Sequence, residues 1–273
     1  MTDELSLQES QIAQEKKRHT PIAANHLAGE SPQARHKRKL LDVIGWVHCW
    51  GYSSAEIIKK VARIQSSGFA STLVRKGWLV QTKTESGMPR FYYTLSATGV
   101  QEAERHADQL FRYPELDPYR VNQSQIRHYL LAQEMTLLAF EMGLIETYKT
   151  ERMIDEAGDI AGQKRPDIVW VRPDGMLAAI EVELSAKWDR RLDEFVRGLL
   201  RALNPYGRNP PKYVECLIVT DSPAIKRRYE AAMAFGAPLK TWEKNSRAQW
   251  VVTKRSVVPD WLLDCVRVYL IES

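Results

Sequence analysis

Two glutamates alternate along an apolar run, Ile180-Glu-Val-Glu-Leu184, and a Pro166-Asp167 pair stands 14 residues before the first of them. Strand side chains alternate between faces, so Ile180, Val182 and Leu184 share one face and Glu181, Glu183 and Ser185 the other. Lys187 joins that polar face if the strand runs on so far. Pro173-Asp-Gly175 supplies a turn between Asp167 and the glutamates, which makes 164–187 a β-hairpin with Asp167 at its start. Two carboxylates held this close repel each other, and taking them out of water is costly unless a cation lies between them. A hard divalent ion such as Mg²⁺ or Mn²⁺ accepts such oxygen ligands. The expected chemistry is metal-assisted phosphodiester cleavage, with Asp167, Glu181 and Glu183 as ligands and Lys187 near the phosphate. Alternating glutamates more often mark the wet face of a hairpin. The Pro-Asp before, the turn between and the lysine after are what favour a site.

Further candidates lie upstream. Glu134 has Leu130 and Leu131 one turn before it and Leu137 and Leu138 one turn after, so it centres on an apolar helix face. A buried glutamate needs a proton, a partner or a metal, which leaves Glu134 either a fourth metal ligand or a salt-bridge residue. Glu151 is a weaker candidate. His128 fits the site or an ordinary helix surface. Trp170 and Trp188 flank the hairpin and suit core packing or stacking on unpaired bases. The six histidines stand at 19, 26, 36, 48, 106 and 128, with no His-x-His among them and none beyond 128. A histidine-based nuclease core in the last half of the chain is therefore excluded, and the absence of a phosphate-binding G-x-x-x-x-G-K-[ST] loop argues against an ATP-driven motor.

These residues need a scaffold. Between Arg35 and His106 there are twelve Lys and Arg against five Asp and Glu, a surplus of seven, while the whole chain carries only +5. A basic module thus precedes a slightly acidic one, the charge pattern of a phosphate-backbone binder. Apolar spacing predicts helices over 36–50, 55–63 and 69–76, then two strands around a turn at Gly87, then a helix from Thr98. Three helices followed by a hairpin make a winged helix-turn-helix. Ser66, Ser67, Ser71, Thr72, Arg75 and Lys76 suit its recognition helix, and Lys83 and Arg90 flank the wing tip. Residues 1–34 read as a flexible tail, 35–106 as the winged helix, 107–122 as a linker and 123–273 as a second domain. In that domain a helix over 123–142 precedes strands near 145–153, 166–172, 177–184 and 213–220. A helix over 189–203, a helix near 223–234, a strand over 248–253 and a C-terminal helix or strand complete an α/β domain with a mixed central sheet.

No apolar run approaches the roughly 18 residues a bilayer requires. The polar start MTDELSLQESQ lacks the features of a secretory signal. Three distant cysteines, Cys49, Cys216 and Cys265, fit neither a disulfide framework nor zinc. A cytoplasmic protein with no membrane partner is expected.

Pro166-Asp167 followed by Glu181-Val-Glu183 resembles the PD-(D/E)xK restriction-endonuclease-like core, with Glu183 where that family usually carries lysine. Some restriction enzymes share this glutamate, which leaves the general base open between Glu183 and Lys187. Joined to a winged helix, the stretch RPDIVWVRPDG…AIEVELSAKW is similar to the plasmid replication-relaxation family, and most of all to MobC-type relaxases of mobilisable plasmids. The resemblance spans about residues 36–203. It implies a nuclease-like second domain and Mg²⁺- or Mn²⁺-dependent nicking of double-stranded DNA at the transfer origin of a supercoiled plasmid. It also implies an accessory relaxosome protein and a coupling protein as partners, and a homodimer. The alternatives are a non-catalytic DNA-binding regulator of replication or relaxosome assembly, and a defence nuclease of the same chemistry.

Overall fold

A computed structural model describes residues 30–154, 165–207 and 210–271. Of the expected tail over 1–34, residues 1–29 lie outside the described residues, as does Lys164 of the hairpin motif, while residues 32–34 form the start of the first helix. The chain is mixed α/β, and among the described residues no helix is long and apolar enough to cross a membrane.

The basic half begins with α1 (Pro32–Trp50), α2 (Ala55–Val61) and α3 (Phe69–Arg75). Ser31 and Ser54 cap the first two by accepting from Ala34 N–H and Ile57 N–H. Strands β1 (Leu79–Lys83) and β2 (Phe91–Leu95) pair antiparallel, and α4 (Ala97–His106) closes the unit. Val43, Ile44, Val47, Ile58, Leu73, Leu79, Tyr93 and Leu95 form its core. Gly99 packs where only a hydrogen fits: a Cβ there would stand 2.3 Å from the Trp78 carbonyl oxygen.

The segment 107–122 is packed against this unit. It holds two 3₁₀ turns, Pro114–Leu116 and Pro118–Arg120, and buries Glu115 and Val121. Arg152 pairs with Glu115 at 2.5 Å, and His48 of α1 stacks on Phe111 with ring centroids 4.4 Å apart.

A 3₁₀ turn, Gln123–Gln125, leads into α5 (Ile126–Glu141). The central sheet has five strands in the order β3 (Thr147–Thr150), β4 (Ile168–Val171), β5 (Leu177–Val182), β6 (Glu215–Thr220) and β9 (Val266–Leu270). The first three pair antiparallel, while β5–β6 and β6–β9 are parallel. Helix α6 (Asp189–Leu203) is the crossover from β5 to β6, and α7 (Pro223–Met233) follows β6. Strand alternation sorts the core into two layers. Ile168, Trp170, Ala178, Ile180 and Val182 meet α5 and the N-terminal unit, whereas Val169, Ala179 and Ile218 meet Phe195, Leu199 and Tyr229 of α6 and α7.

A second hairpin stands outside the central sheet: β7 (Pro238–Lys244) pairs antiparallel with β8 (Trp250–Val257). Only a strand over 248–253 is expected from sequence, and β7 is not. A short helix α8 (Leu262–Cys265) leads into β9. The three cysteines are free thiols.

Candidate functional site

The acidic residues sit where β5 ends. Strand β5 stops at Val182, one residue earlier than Glu183, although the Glu183 N–H still donates to the Val219 carbonyl at 2.8 Å. Lys187 therefore lies in the loop before α6 and not on an extended strand. Glu181 is 1% exposed and Glu183 4%, so neither occupies a solvated hairpin face. Strand β5 lies between β4 and β6 with α5 on one face of the sheet and α6 and α7 on the other, which is why the alternating glutamates end up inside.

Asp167 stands one step beyond the register pair Ile168–Ile180, level with Glu181 on the adjacent strand. Its N–H donates to the Ile180 carbonyl at 3.1 Å, and its Oδ2 accepts from the Val182 N–H at 2.8 Å. The carboxylate thus replaces a backbone acceptor at the start of β4 and is held between the two glutamate positions. The same Oδ2 lies 3.1 Å from His128 Nε2 of α5. Burial pulls the His128 pKa down, but the hydrogen bond and charge of Asp167, with Glu183 behind it, outweigh that and raise it. His128, which the sequence leaves open between the site and an ordinary helix surface, is the side chain that orients Asp167.

Glu183 Oε1 accepts from Lys187 Nζ, whose ammonium also lies 4.9 Å from the Phe195 ring centroid. Tyr229, fully buried in α7, has its pKa raised first by burial and then by the Glu183 charge. Arg127 pairs with Asp221 just past β6, a contact that closes the rim between α5 and the sheet and that no sequence signal indicated. On the neighbouring side of α5, Tyr129 donates to Glu151 Oε2 at 2.6 Å and lines a cavity of about 400 Å³ with Tyr52 and Arg152.

Glu134 is a correction. It is not buried: its side chain is 46% exposed and lies 3.9 Å from Lys60. The residue beside it, Gln133, is fully buried instead. Gln133 Oε1 accepts from Trp46 Nε1 and from Ser53 Oγ, both at 2.8 Å, and its Nε2 donates to the Tyr52 carbonyl at 2.9 Å. Helix α5 turns that polar position toward α1 and the loop after it, and Glu134 is rotated about 100° away. Glu151 lies in a 3₁₀ turn after β3, bonded to Tyr129 rather than to the carboxylates. Trp170 is a core residue donating to Thr136 Oγ1 at 3.1 Å, while Trp188 is 62% exposed.

Asp167, Glu181 and Glu183 are hard oxygen donors, the type that suits Mg²⁺ or Mn²⁺. As the side chains stand, His128 engages one of them and Lys187 another. No group of three or more His, Cys, Asp or Glu among the described residues is gathered as a ready ligand cage. An ion would need the lysine to yield.

In the N-terminal unit, α3 buries Ala70 and Leu73 and exposes Ser71 and Arg75. Ser67 and Lys76 are exposed at its ends, and Thr72 is half-buried, donating to the Gly68 carbonyl at 3.1 Å. Lys76 Nζ lies 2.9 Å from His36 Nε2. Lys83 and Arg90 are exposed on either side of the β1–β2 turn.

Comparison of the chain with family models, with curated proteins and with solved structures gives no match.

Proposed function

We propose that the chain is a cytoplasmic DNA nickase dependent on Mg²⁺ or Mn²⁺, acting at a plasmid transfer origin during mobilisation. The observation that carries this reading is the burial of two glutamates on one face at the end of a sheet strand, beside an aspartate fixed by a histidine. Burying carboxylates among apolar residues destabilises a fold unless they are compensated, and a phosphate-handling ion site gives that arrangement a purpose. The antiparallel hairpin, helical crossover and parallel strand that carry Asp167, Glu181 and Glu183 support a nuclease-like domain. Three helices and a two-stranded wing with exposed Ser71, Arg75, Lys83 and Arg90 support a winged helix-turn-helix that holds duplex DNA.

Asp167, Glu181 and Glu183 would hold the ion, which when bound polarises the phosphate and makes a bound water more acidic. The chain's own residues prepare the rest. His128 fixes the Asp167 carboxylate. Lys187 neutralises Glu183 and is free to turn toward an arriving phosphate. Glu183, buried beside Tyr229, is placed to accept a proton from a nucleophilic water.

The test is incubation with supercoiled plasmids carrying candidate origins, with and without Mn²⁺. Wild type is expected to convert them to open circles. Asp167→Asn and Glu181→Gln lose that activity while keeping duplex affinity. Equal conversion by wild type and variants overturns the proposal.

One observation favours a second reading, a non-catalytic DNA-binding regulator. The pairings Asp167–His128 and Glu183–Lys187 satisfy two of the three carboxylates without an ion. That reading expects specific binding, no cleavage, and a melting temperature indifferent to Mn²⁺.

A further inference from the structure

The β7–β8 ribbon is a charged element that neither the winged-helix unit nor the carboxylate site explains. From 238 to 257 it carries five cations and one acid. Cross-strand register sets Lys240 directly opposite Arg255, and like charges so placed destabilise a hairpin. Among the described residues, Lys240, Lys244, Arg247, Lys254 and Arg255 have no salt-bridge partner. The last four are exposed, and so are most residues of β8.

The ribbon is nevertheless firmly built. Asp193 of α6 accepts from the Lys240 N–H at 3.3 Å and from Trp242 Nε1 at 2.7 Å. Leu239 is buried against the α6 layer. At the tip, Asn245 Oδ1 accepts from the N–H groups of Arg247 and Gln249 at 2.9 and 3.0 Å. A rigid hairpin that keeps its cations unneutralised is poised for a polyanion.

Two exposed tryptophans link it to the carboxylates. Trp188 directly follows Lys187 and is 62% exposed, with the Arg228 guanidinium 3.5 Å from its ring centroid. Arg228 Nε also donates to the Lys187 carbonyl at 2.8 Å, so this platform is fastened to the site loop. Two residues on, Arg190 lies 4.1 Å from the Trp250 ring centroid. Cations alternating with indoles are the composition of a surface that tracks unpaired nucleic acid, phosphates on the cations and bases on the rings.

We propose that Trp188 and the β7–β8 ribbon bind single-stranded DNA, as a contact separate from the duplex contact of the N-terminal unit. The inference deepens the nickase reading, since a strand released there would leave along this path, but it concerns binding alone. It is tested on the full chain in EDTA, by fluorescence anisotropy with labelled oligo-dT and with a labelled duplex. The variants are Trp188→Ala and a quadruple change, Lys244→Ala, Arg247→Ala, Lys254→Ala and Arg255→Ala.

Four lost phosphate contacts on a single strand should reduce the log–log salt slope by about 2.8, at roughly 0.7 per contact, and weaken oligo-dT binding about tenfold or more. Trp188→Ala should weaken it about fivefold with the slope unchanged. Duplex affinity should hold within about twofold, and replacing Lys244 and Lys254 by arginine should preserve the slope. An unchanged slope in the quadruple variant overturns the proposal. So does a parallel loss of duplex binding, or competition by polyglutamate as effective as that of oligo-dT. Because no cleavage is measured, these outcomes are independent of whether Asp167→Asn alters nicking.

Discussion

Replacing Lys187 by methionine isolates the charge that holds the site together. Methionine keeps most of the aliphatic stem while removing the ammonium from Glu183. The Glu183 side chain is 5% exposed and that of Lys187 31%. Breaking a fully buried pair by removing one member costs roughly 3–5 kcal/mol, whereas an exposed pair is worth about 0–1 kcal/mol. With one partner deep and the other a third open to water, the expected loss is about 2 kcal/mol. For a protein of this size that is a fall of roughly 4–8 °C in melting temperature. The double variant Lys187→Met/Glu183→Gln should recover most of it, since no uncompensated carboxylate remains. Mn²⁺ then separates the two functional readings. Without the lysine, Glu183 and its neighbours are open to an ion, so Mn²⁺ should stabilise Lys187→Met by about 2.7 kcal/mol at a hundred times its dissociation constant, and wild type by less at the same concentration. The assay is thermal melting monitored by far-UV circular dichroism, with EDTA or Mn²⁺. A variant that melts with wild type in EDTA refutes the argument that Lys187 compensates a buried charge. A variant that is destabilised but indifferent to Mn²⁺ refutes the ion site.

Gln133→Ala strips partners from Trp46, Ser53 and Tyr52 and should cost about 2–4 kcal/mol in urea unfolding; a change under about 0.5 kcal/mol would show that water replaces the amide. Gly99→Ala brings a methyl to within 2.3 Å of the Trp78 carbonyl oxygen, and a lowered urea midpoint is expected, with the variant's failure to destabilise counting against the packing of α4 on the hairpin. His48 is kept neutral chiefly by burial, then by the Arg152 charge, so its pKa is lowered in the fold. The unfolded chain therefore takes up a proton that the folded one resists. This contribution to stability is whole above about pH 6.5, falls as pH drops through that value, and levels off below the folded pKa. Urea midpoints at neutral and mildly acidic pH should converge for His48→Phe relative to wild type.

Much of the scaffold was legible because it rests on local pattern. Helical spacing placed α1 to α3, Gly87 placed the β1–β2 turn, and alternation put Glu181 and Glu183 on one side of β5. The meeting of Asp167 with that strand followed from a single hairpin turn. What escaped depends on tertiary partners. Gln133 and Glu134 differ by one helical step, and only the indole of Trp46 and the hydroxyl of Ser53 decide which of them faces inward. Leu138, apolar by type, is consequently 46% exposed. His128 carries no local sign that an aspartate 39 residues on will sit beside it. The ribbon was half missed because β7 lies outside the central sheet, so its polar residues show no buried face and no alternation to read.

The contact made by Gln133 reaches beyond stability. Trp46, Trp50 and Tyr52 of the basic half lie in one apolar cluster with Leu130, Ile168 and Trp170 of the acidic half, so no swivel separates α3 from the end of β5. On the proposed function, duplex DNA gripped by α3 would be presented to the carboxylates at a constant span and rotational phase. Under the proposed function the molecule would then behave as a ruler: the offset between the sequence it recognises and the place it cuts would be a fixed number of base steps, and inserting half a helical turn of DNA between them would put the target on the wrong side.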